Sequence, residues 1–141
     1  MKYGIYYAYW EKEWNGDYKY YIDKISKLGF DILEISCGAF SDYYTKDQEL
    51  IDIGKYAKEK GVTLTAGYGP HLNESLSSSE PNTQKQAISF WKETLRKLKL
   101  MDIHMVGGAL YGYWPVDYSK PFDKKRDLEN SIKNMKIISQ Y

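Results

Sequence analysis

The chain has 141 residues, of which 43% are hydrophobic and 28% are charged, so it can build one packed core and is too short for two. Its 20 basic and 19 acidic side chains nearly cancel, so no strong net field favours nucleic acid, an anionic membrane or an acidic substrate. We expect one domain over residues 1–141 in the cytoplasm, because no apolar run approaches the roughly 20 residues of a membrane span and residues 1–7 lack the apolar segment of a signal peptide.

The first half of the chain alternates strand and helix patterns. Short apolar runs at residues 3–7, 32–35 and 62–66 predict buried strands. Asp17 is placed to cap a first helix that ends at Gly29, and its apolar face would hold Tyr18, Tyr21, Ile22, Ile25 and Leu28. Thr45 with Gln48 predicts a capping box for a second helix that ends at Gly61, and its apolar face would hold Leu50, Ile53, Gly54 and Ala57.

The second half repeats the alternation. Pro81 suits the first turn of a third helix, whose apolar stripe would be Ala87, Trp91, Leu95 and Leu98. A fourth strand is predicted at residues 103–106. The stripe of the fourth helix would be Leu128, Ile132, Met135 and Ile138. The order is therefore βαβαβαβα.

This order predicts an α/β fold with parallel strands joined by right-handed crossovers, so that all strand ends open on one side. An open doubly wound sheet and a (β/α)8 barrel both satisfy it, and four units complete only half of an eight-stranded barrel. No Gly-x-Gly-x-x-Gly follows the first strand, which argues against a dinucleotide site.

Aromatic residues and glycines collect after the strands, where such folds place their active sites. The rings are Tyr6, Tyr7, Tyr9, Trp10, Trp14, Tyr68, Tyr111, Tyr113, Trp114 and Tyr118. Aromatic faces pack against the C–H face of a sugar, so the pattern indicates a carbohydrate ligand; alternatively, Tyr3, Tyr7 and Tyr9 fill core or interface. Gly67, Gly69, Gly107 and Gly108 either make room for a ligand beside the backbone or allow tight turns.

Candidates for catalysis or metal binding are weak. Glu34 ends the second strand, and we interpret it as a structural hydrogen-bond acceptor rather than a general base. His104 would lie inside the fourth strand, and His71 on a solvent-facing loop. Cys37 has no neighbour in the sequence that would lower its pKa, which indicates an inert thiol. Glu11, Glu13, Glu34 and Asp42 include no pair with a defined facing geometry, and two histidines without a spaced carboxylate cluster are a weak indication of a metal site.

Four motifs occur in order at the strand ends: GIYYAYW at residues 4–10, LGFDILE at 28–34, LTAGYGP at 64–70 and GGALYGYWPVD at 107–117. Together they resemble the amino-terminal half of the D-psicose (D-allulose) 3-epimerase and D-tagatose 3-epimerase family, which has a xylose-isomerase-like TIM barrel. The resemblance covers nearly the whole chain. It therefore implies the barrel, with this chain as four βα units of a half barrel.

The resemblance implies a ketose 3-epimerase of carbohydrate metabolism, which removes and returns the C3 proton through an enediolate stabilised by a divalent metal, usually manganese. The family takes its metal ligands and its acid/base pair from strands five to eight. We therefore expect this chain alone to be inactive, with no catalytic residue and no bound metal of its own. What it carries over is a substrate-binding wall: Tyr6, Trp14, Gly67, Tyr68, Ala109 and Trp114.

The implied partners are a ketohexose and either a carboxyl half or a second copy of the chain in a homodimer, with no nucleic acid and no membrane. A non-catalytic sugar-binding or self-assembling half barrel is the alternative function. Related barrels also include sugar isomerases and metal-dependent endonucleases, and the motif around Trp114 favours an epimerase over these.

Overall fold

The computed structural model describes residues 1–14, 16–40, 46–119 and 121–141. The elements are β1 (Gly4–Tyr6), α1 (Tyr18–Leu28), β2 (Ile32–Ser36), α2 (Asp47–Glu59), β3 (Thr63–Tyr68), α3 (Pro81–Leu100), β4 (Val106–Gly108) and α4 (Lys124–Ile138). Single turns of 3-10 helix occur at Tyr7–Tyr9, Cys37–Phe40 and Leu72–Glu74. The predicted order of four strand-helix units is confirmed. None of the helices in the described ranges is both long and apolar enough to cross a membrane.

The strands form one parallel sheet in the order β1-β2-β3-β4. Tyr6 of β1 is in register with Glu34 of β2, which is in register with Thr65 of β3. Two residues further along, Ser36 is in register with Gly67. Because successive residues of a strand face opposite sides, these five residues share one face of the sheet. That face and the carboxyl ends of the strands are where the predicted binding residues begin.

Two compact units can be distinguished in the chain: Met1–Gly67 with Lys97–Val106, and Tyr68–Arg96 with Gly107–Tyr141. The core of the first unit combines the other face of β2 with the apolar faces of α1 and α2. Its fully or almost fully buried side chains include Tyr18, Ile22, Ile25, Leu33, Ile35, Leu50 and Ile53. The expected face of α2 is confirmed, since Leu50, Ile53, Gly54 and Ala57 are all buried.

Both ends of α1 agree with the sequence. The Asp17 carboxylate accepts hydrogen bonds from the backbone N–H groups of Lys19 and Tyr20, and Gly29 has a φ of 81° in the left-handed region. Leu28 does not belong to the buried face and is 58% exposed. At 100° per residue it lies about 80° around the helix from Tyr18, which places it at the edge of the apolar face.

The start of α2 was predicted at Thr45, which lies outside the described residues. The described helix begins at Asp47, where the Lys46 N–H donates to the Glu49 carboxylate at 3.4 Å. Gly61, with a φ of 70°, follows its end as predicted.

The fourth strand was predicted too early in the chain. Ile103 is buried, but its N–H donates to the Leu98 carbonyl at 3.0 Å, so this segment completes the turn that ends α3. The strand runs from Val106 to Gly108 instead. The prediction of an interior His104 is therefore wrong: its side chain is 81% exposed and its Nε2 lies 2.9 Å from Asp102 Oδ1. That hydrogen bond, with the charge of Lys58, lowers the pKa of Asp102.

The buried face of α4 differs from the predicted one. Leu128, Ile132 and Met135 are exposed, and we call these three residues the apolar stripe of α4. The buried positions are Ser131, Asn134 and Ile138, of which Ile138 was predicted. Polar side chains are buried here because they bond to loop carbonyls, a type of contact that hydrophobic periodicity does not detect.

Those bonds attach α4 to the loops of the second unit. Asn134 Nδ2 donates to the Leu76 carbonyl at 2.8 Å, and the Ser131 hydroxyl donates to the Tyr111 carbonyl. Asn130 Nδ2 lies 3.2 Å from the Ser78 carbonyl. Hydrogen bonds to loop carbonyls thus decide which side of α4 faces inward.

We expect Gly54→Ala to destabilise the chain. A Cβ at Gly54 would lie 2.7 Å from the Met101 carbonyl oxygen, so α2 packs directly against the turn that ends α3. Overpacking of this kind costs about 1–3 kcal/mol and outweighs the gain of about 1 kcal/mol in helix propensity. Urea denaturation measures the free energy of unfolding. The exposed neighbour Lys55→Ala serves as the control and should change it by less than about 0.5 kcal/mol. A Gly54→Ala variant at least as stable as the wild type would refute the close packing.

Candidate functional site

The loop after β1 holds Trp14 at the surface through a buried tyrosine. The Tyr7 side chain is fully buried, and its hydroxyl donates to the Trp14 carbonyl at 2.7 Å. Burial raises the pKa of Tyr7, so the phenol remains a donor at neutral pH. Trp14 itself is 69% exposed and its ring lies 6.3 Å from that of Tyr6. Tyr6 and Trp14, both predicted binding residues, are therefore neighbours on one surface.

The alternative that these rings fill core or interface is confirmed for Tyr7, which lies in the core, whereas Tyr3 and Tyr9 are exposed and do not fill the core. Trp10 has a structural role in addition: its ring stacks on Tyr21 at 5.8 Å. The Lys24 ammonium lies 4.4 Å from the centre of the Trp10 ring, a cation–π contact.

Gly67 lies beneath the Glu34 carboxylate on the sheet face that Tyr6 shares. A Cβ at Gly67 would come within 2.7 Å of Glu34 Oε1 and 3.2 Å of its Cδ. The absence of a side chain at Gly67 therefore makes room for Glu34. Burial raises the pKa of the Tyr6 hydroxyl, a hydrogen bond with Ser36 opposes this rise, and the Glu34 charge adds to it. Tyr6, Glu34, Ser36 and Gly67 consequently form one local group in the first unit.

Cys37 follows β2 and is 2% exposed. Burial raises the pKa of its thiol to about 12. At neutral pH almost no thiolate forms, which agrees with the predicted inert thiol.

Tyr68 begins the part of the site that belongs to the second unit. Its hydroxyl donates to the Glu74 carboxylate at 2.7 Å, and the backbone N–H of His71 donates to the same carboxylate at 2.8 Å. Its ring centre lies 5.6 Å from that of Phe90 and 6.1 Å from that of Trp91. These contacts fix the ring position. His71 is exposed, as predicted.

Ala109 is positioned by the glycine before it. Gly108 has a φ of 106°, and a Cβ there would overlap the Tyr68 carbonyl oxygen. This close approach lets the Ala109 N–H donate to the Tyr68 carbonyl at 3.1 Å. Ala109 is half-buried. Gly108 is thus required for backbone contact within the second unit, which supports tight turning as its role.

Trp114 is fixed through its backbone and leaves its ring available. Its N–H donates to the Pro70 carbonyl at 2.7 Å. A Cβ at Gly69 would lie 3.0 Å from the Trp114 Cβ, so these two chain segments touch. The side chain is 63% exposed. Tyr68, Ala109 and Trp114 therefore lie along one connected set of loops.

The predicted binding residues form two local groups. Tyr6, Trp14 and Gly67 lie in the first unit, and Tyr68, Ala109 and Trp114 lie in the second. Two further residues were not among the predicted site residues: Ser36, which opposes the rise that burial causes in the pKa of Tyr6, and Glu74, which accepts a hydrogen bond from Tyr68. Strand alternation could have indicated Ser36, because it lies two residues after Glu34 on the same face. Nothing in the sequence distinguished Glu74 from other surface acids.

A metal site requires several donor side chains directed at one point. Across the described ranges, no group of three or more His, Cys, Asp or Glu side chains is arranged to hold a metal ion. We therefore assign no metal ligand among the described residues.

The fold defines the class as four βα units of an α/β barrel, with the predicted binding residues at and after the ends of its strands. The chain is 54% identical over 140 residues to the D-psicose 3-epimerase of Enterocloster bolteae, covering 99% of this chain and 46% of that protein. It is 43% identical to the D-psicose 3-epimerase of Agrobacterium fabrum, covering 100% of this chain and 48% of that protein. The resemblance to D-psicose 3-epimerases is confirmed, and the chain spans about half the length of the curated relatives it matches. No family model matches.

Solved structures agree with this result. A D-psicose 3-epimerase from Clostridium cellulolyticum, crystallised with D-tagatose, superimposes with a TM-score of 0.94 at 47% identity and covers 99% of this chain and 48% of that chain. An L-ribulose 3-epimerase has a TM-score of 0.81 at 15% identity, with 99% and 46% covered, which shows a shared fold. The predicted fold class, four βα units of a TIM barrel, is therefore confirmed.

We expect Gly108→Ala and Gly107→Ala to behave differently. The first adds a Cβ that overlaps the Tyr68 carbonyl at a positive φ, whereas the second adds one with no atom within 4 Å. Gly108→Ala should lower the free energy of unfolding by about 3 kcal/mol. Gly107→Ala should change it by less than about 1 kcal/mol. Denaturation of both variants is the measurement, and equal stability of the two would contradict the described backbone approach.

Proposed function

We propose that this chain supplies the substrate-binding wall of a ketose 3-epimerase that acts on D-psicose, D-tagatose or a related ketohexose. The observation that carries the proposal is the 54% identity to a D-psicose 3-epimerase over 99% of the chain. A likeness of this strength over nearly every residue extends to the loops as well as the strands. We keep the assignment of residues 1–141 to a single domain, and a cytoplasmic location, as predictions.

The residues proposed to contact the sugar are of two chemical kinds, aromatic and small. Tyr6, Trp14, Tyr68 and Trp114 offer ring faces to the sugar carbons, and phenol oxygens can also bond to hydroxyl groups. Gly67 and Ala109 are small and allow the sugar to approach the backbone. The fixed backbone positions of these groups favour binding, because little loop freedom is lost when the ligand arrives.

The proposed reaction inverts C3 of the ketose, by removing a proton beside the C2 carbonyl and returning one to the opposite face. We assign no proton transfer to the described residues of this chain. The resemblance implies manganese or another divalent metal in the complete barrel, held by residues that the chain does not contain. In this proposal the chain binds and orients the sugar, and its partner is a carboxyl half.

Complementation tests the proposal. Residues 1–141 and the separately produced carboxyl half of the Clostridium cellulolyticum D-psicose 3-epimerase are mixed in the presence of manganese. Conversion of D-fructose to D-psicose is followed by chromatography. We expect conversion by the mixture and none by either half. Trp114→Ala should raise KM about tenfold, since a lost aromatic contact with the ligand is worth about 1–2 kcal/mol.

The control is Tyr118→Ala, which also removes an exposed ring that follows β4 but is not among the proposed contacts. It should leave KM within about twofold of the wild type. Conversion by residues 1–141 alone would contradict the division of roles. Failure of a folded, associated mixture to convert any ketose would contradict the epimerase assignment.

A second candidate function is a non-catalytic half barrel that binds sugar and assembles with a second copy. The apolar stripe of α4 favours it, because Leu128 is 60% exposed, Ile132 47% and Met135 36%. Three apolar side chains aligned on one exposed helix face are typical of a surface that another protein covers. The sheet also ends in β1 on one side and β4 on the other, and edge strands readily associate.

Analytical ultracentrifugation tests the second candidate. If copies pair through the apolar stripe, the wild type should sediment as a dimer at micromolar concentration and Ile132→Glu as a monomer, because a charge would be buried without a partner. Lys133→Glu changes the exposed neighbouring residue and should leave the dimer intact. A monomeric wild type, or an Ile132→Glu dimer, would count against pairing through this helix.

A further inference from the structure

Glu34 lies on a face of the sheet where a hydrogen-bond acceptor with a purely structural role is not required. It lies between Tyr6 and Thr65 in the register of three neighbouring strands. Leu33 and Ile35, which flank it, are fully buried on the opposite face. The Glu34 side chain is half-buried, so it lies on the face that the apolar core does not cover.

The direction of the side chain is set by Gly67. Because a Cβ at Gly67 would lie 2.7 Å from Glu34 Oε1 and 3.2 Å from Cδ, the carboxylate reaches along the sheet toward the carboxyl ends of the strands. Gly67 is in register with Ser36, two residues beyond Glu34. The carboxylate is therefore directed toward the end of the sheet where the predicted binding residues of this unit lie.

The carboxylate has unused acceptor capacity. No hydrogen bond or ion pair to the Glu34 carboxylate is formed by any residue in the described ranges. Its neighbours are the Tyr6 hydroxyl and the Cys37 thiol, on which its charge acts at a distance. An ionised carboxylate offers about four lone-pair sites, and a partly buried one gains from donors that reach it.

We propose that Glu34 contacts the substrate and accepts hydrogen bonds from hydroxyl groups of the sugar. This inference rests on the proposed function and deepens it, since it adds an ionised acceptor to a wall predicted to consist of rings and small residues. Sugar hydroxyls are donors of the right kind, and Gly67 leaves the carboxylate accessible. Glu34 binds in this scheme and transfers no proton.

Two measurements on residues 1–141 test the proposal. The first is a titration with D-fructose, followed by the backbone amide signals of 15N-labelled protein. Glu34→Gln should weaken the dissociation constant about tenfold or more, because it removes the charge and replaces one acceptor by a donor. Glu59→Gln makes the same change at an exposed position of α2 and should remain within twofold of the wild type.

The second measurement is the midpoint of urea denaturation without sugar. If Glu34 faces the ligand, Glu34→Gln removes no bond within the protein, and the midpoint should equal or exceed that of the wild type. A clear fall in the midpoint would assign Glu34 the structural role and overturn the inference.

The titration separates the two claims. Wild-type binding with equally tight binding by Glu34→Gln would overturn the role of Glu34 and leave the proposed function standing. Absence of fructose-dependent shifts in the folded wild type would contradict sugar binding by this chain, and with it the role of Glu34. Weakened binding by Glu34→Gln with an unchanged midpoint supports the inference.

Discussion

The architecture depends on close backbone packing at the carboxyl end of β3. Gly67 leaves the space that the Glu34 carboxylate occupies, and Gly108 approaches the Tyr68 carbonyl so closely that no side chain could be added. Each contact lies within one compact unit. In both cases the missing side chain of a glycine leaves space for a neighbouring group, a carboxylate at Gly67 and a backbone carbonyl at Gly108. Each glycine thereby positions a candidate binding residue.

The exposed rings are held by hydrogen bonds to the segments that carry them. Tyr7 bonds to the Trp14 carbonyl, Tyr68 to Glu74, and the Trp114 N–H to the Pro70 carbonyl. Loops often carry functional residues but are usually more mobile than helices and strands. Here, paired backbone groups fix the loops while the Trp14 and Trp114 side chains remain exposed. A surface of this kind can bind a ligand without first ordering its loops.

Most of the fold could be predicted from the sequence, because residues that mark helix ends and the periodicity of apolar residues are local features of the chain. Asp17, Gly29, Gly61 and Pro81 all mark helix ends as expected. The errors have a common cause in contacts between distant segments. The inward face of α4 is decided by hydrogen bonds such as that from Asn134 to the Leu76 carbonyl, and apolar periodicity predicted an adjacent face that shares only Ile138 with the buried one.

The residues of the candidate site could be proposed from the sequence, but the hydrogen bonds around them could not. Motif resemblance selected Tyr6, Trp14, Gly67, Tyr68, Ala109 and Trp114, and their roles remain predictions. The sequence could not show that Glu34 lacks a bonding partner among the described residues, because that depends on what β1 and β3 place beside it. The same limit applies to the bond between Tyr68 and Glu74.

The central claim is that this chain provides binding surface and that the proton transfer requires groups from elsewhere. Deuterium incorporation at C3 of D-fructose, measured by mass spectrometry after incubation in deuterium oxide with manganese, tests it most directly. The account predicts incorporation when the carboxyl half of a related epimerase is added and none with residues 1–141 alone. Incorporation catalysed by residues 1–141 alone would contradict it.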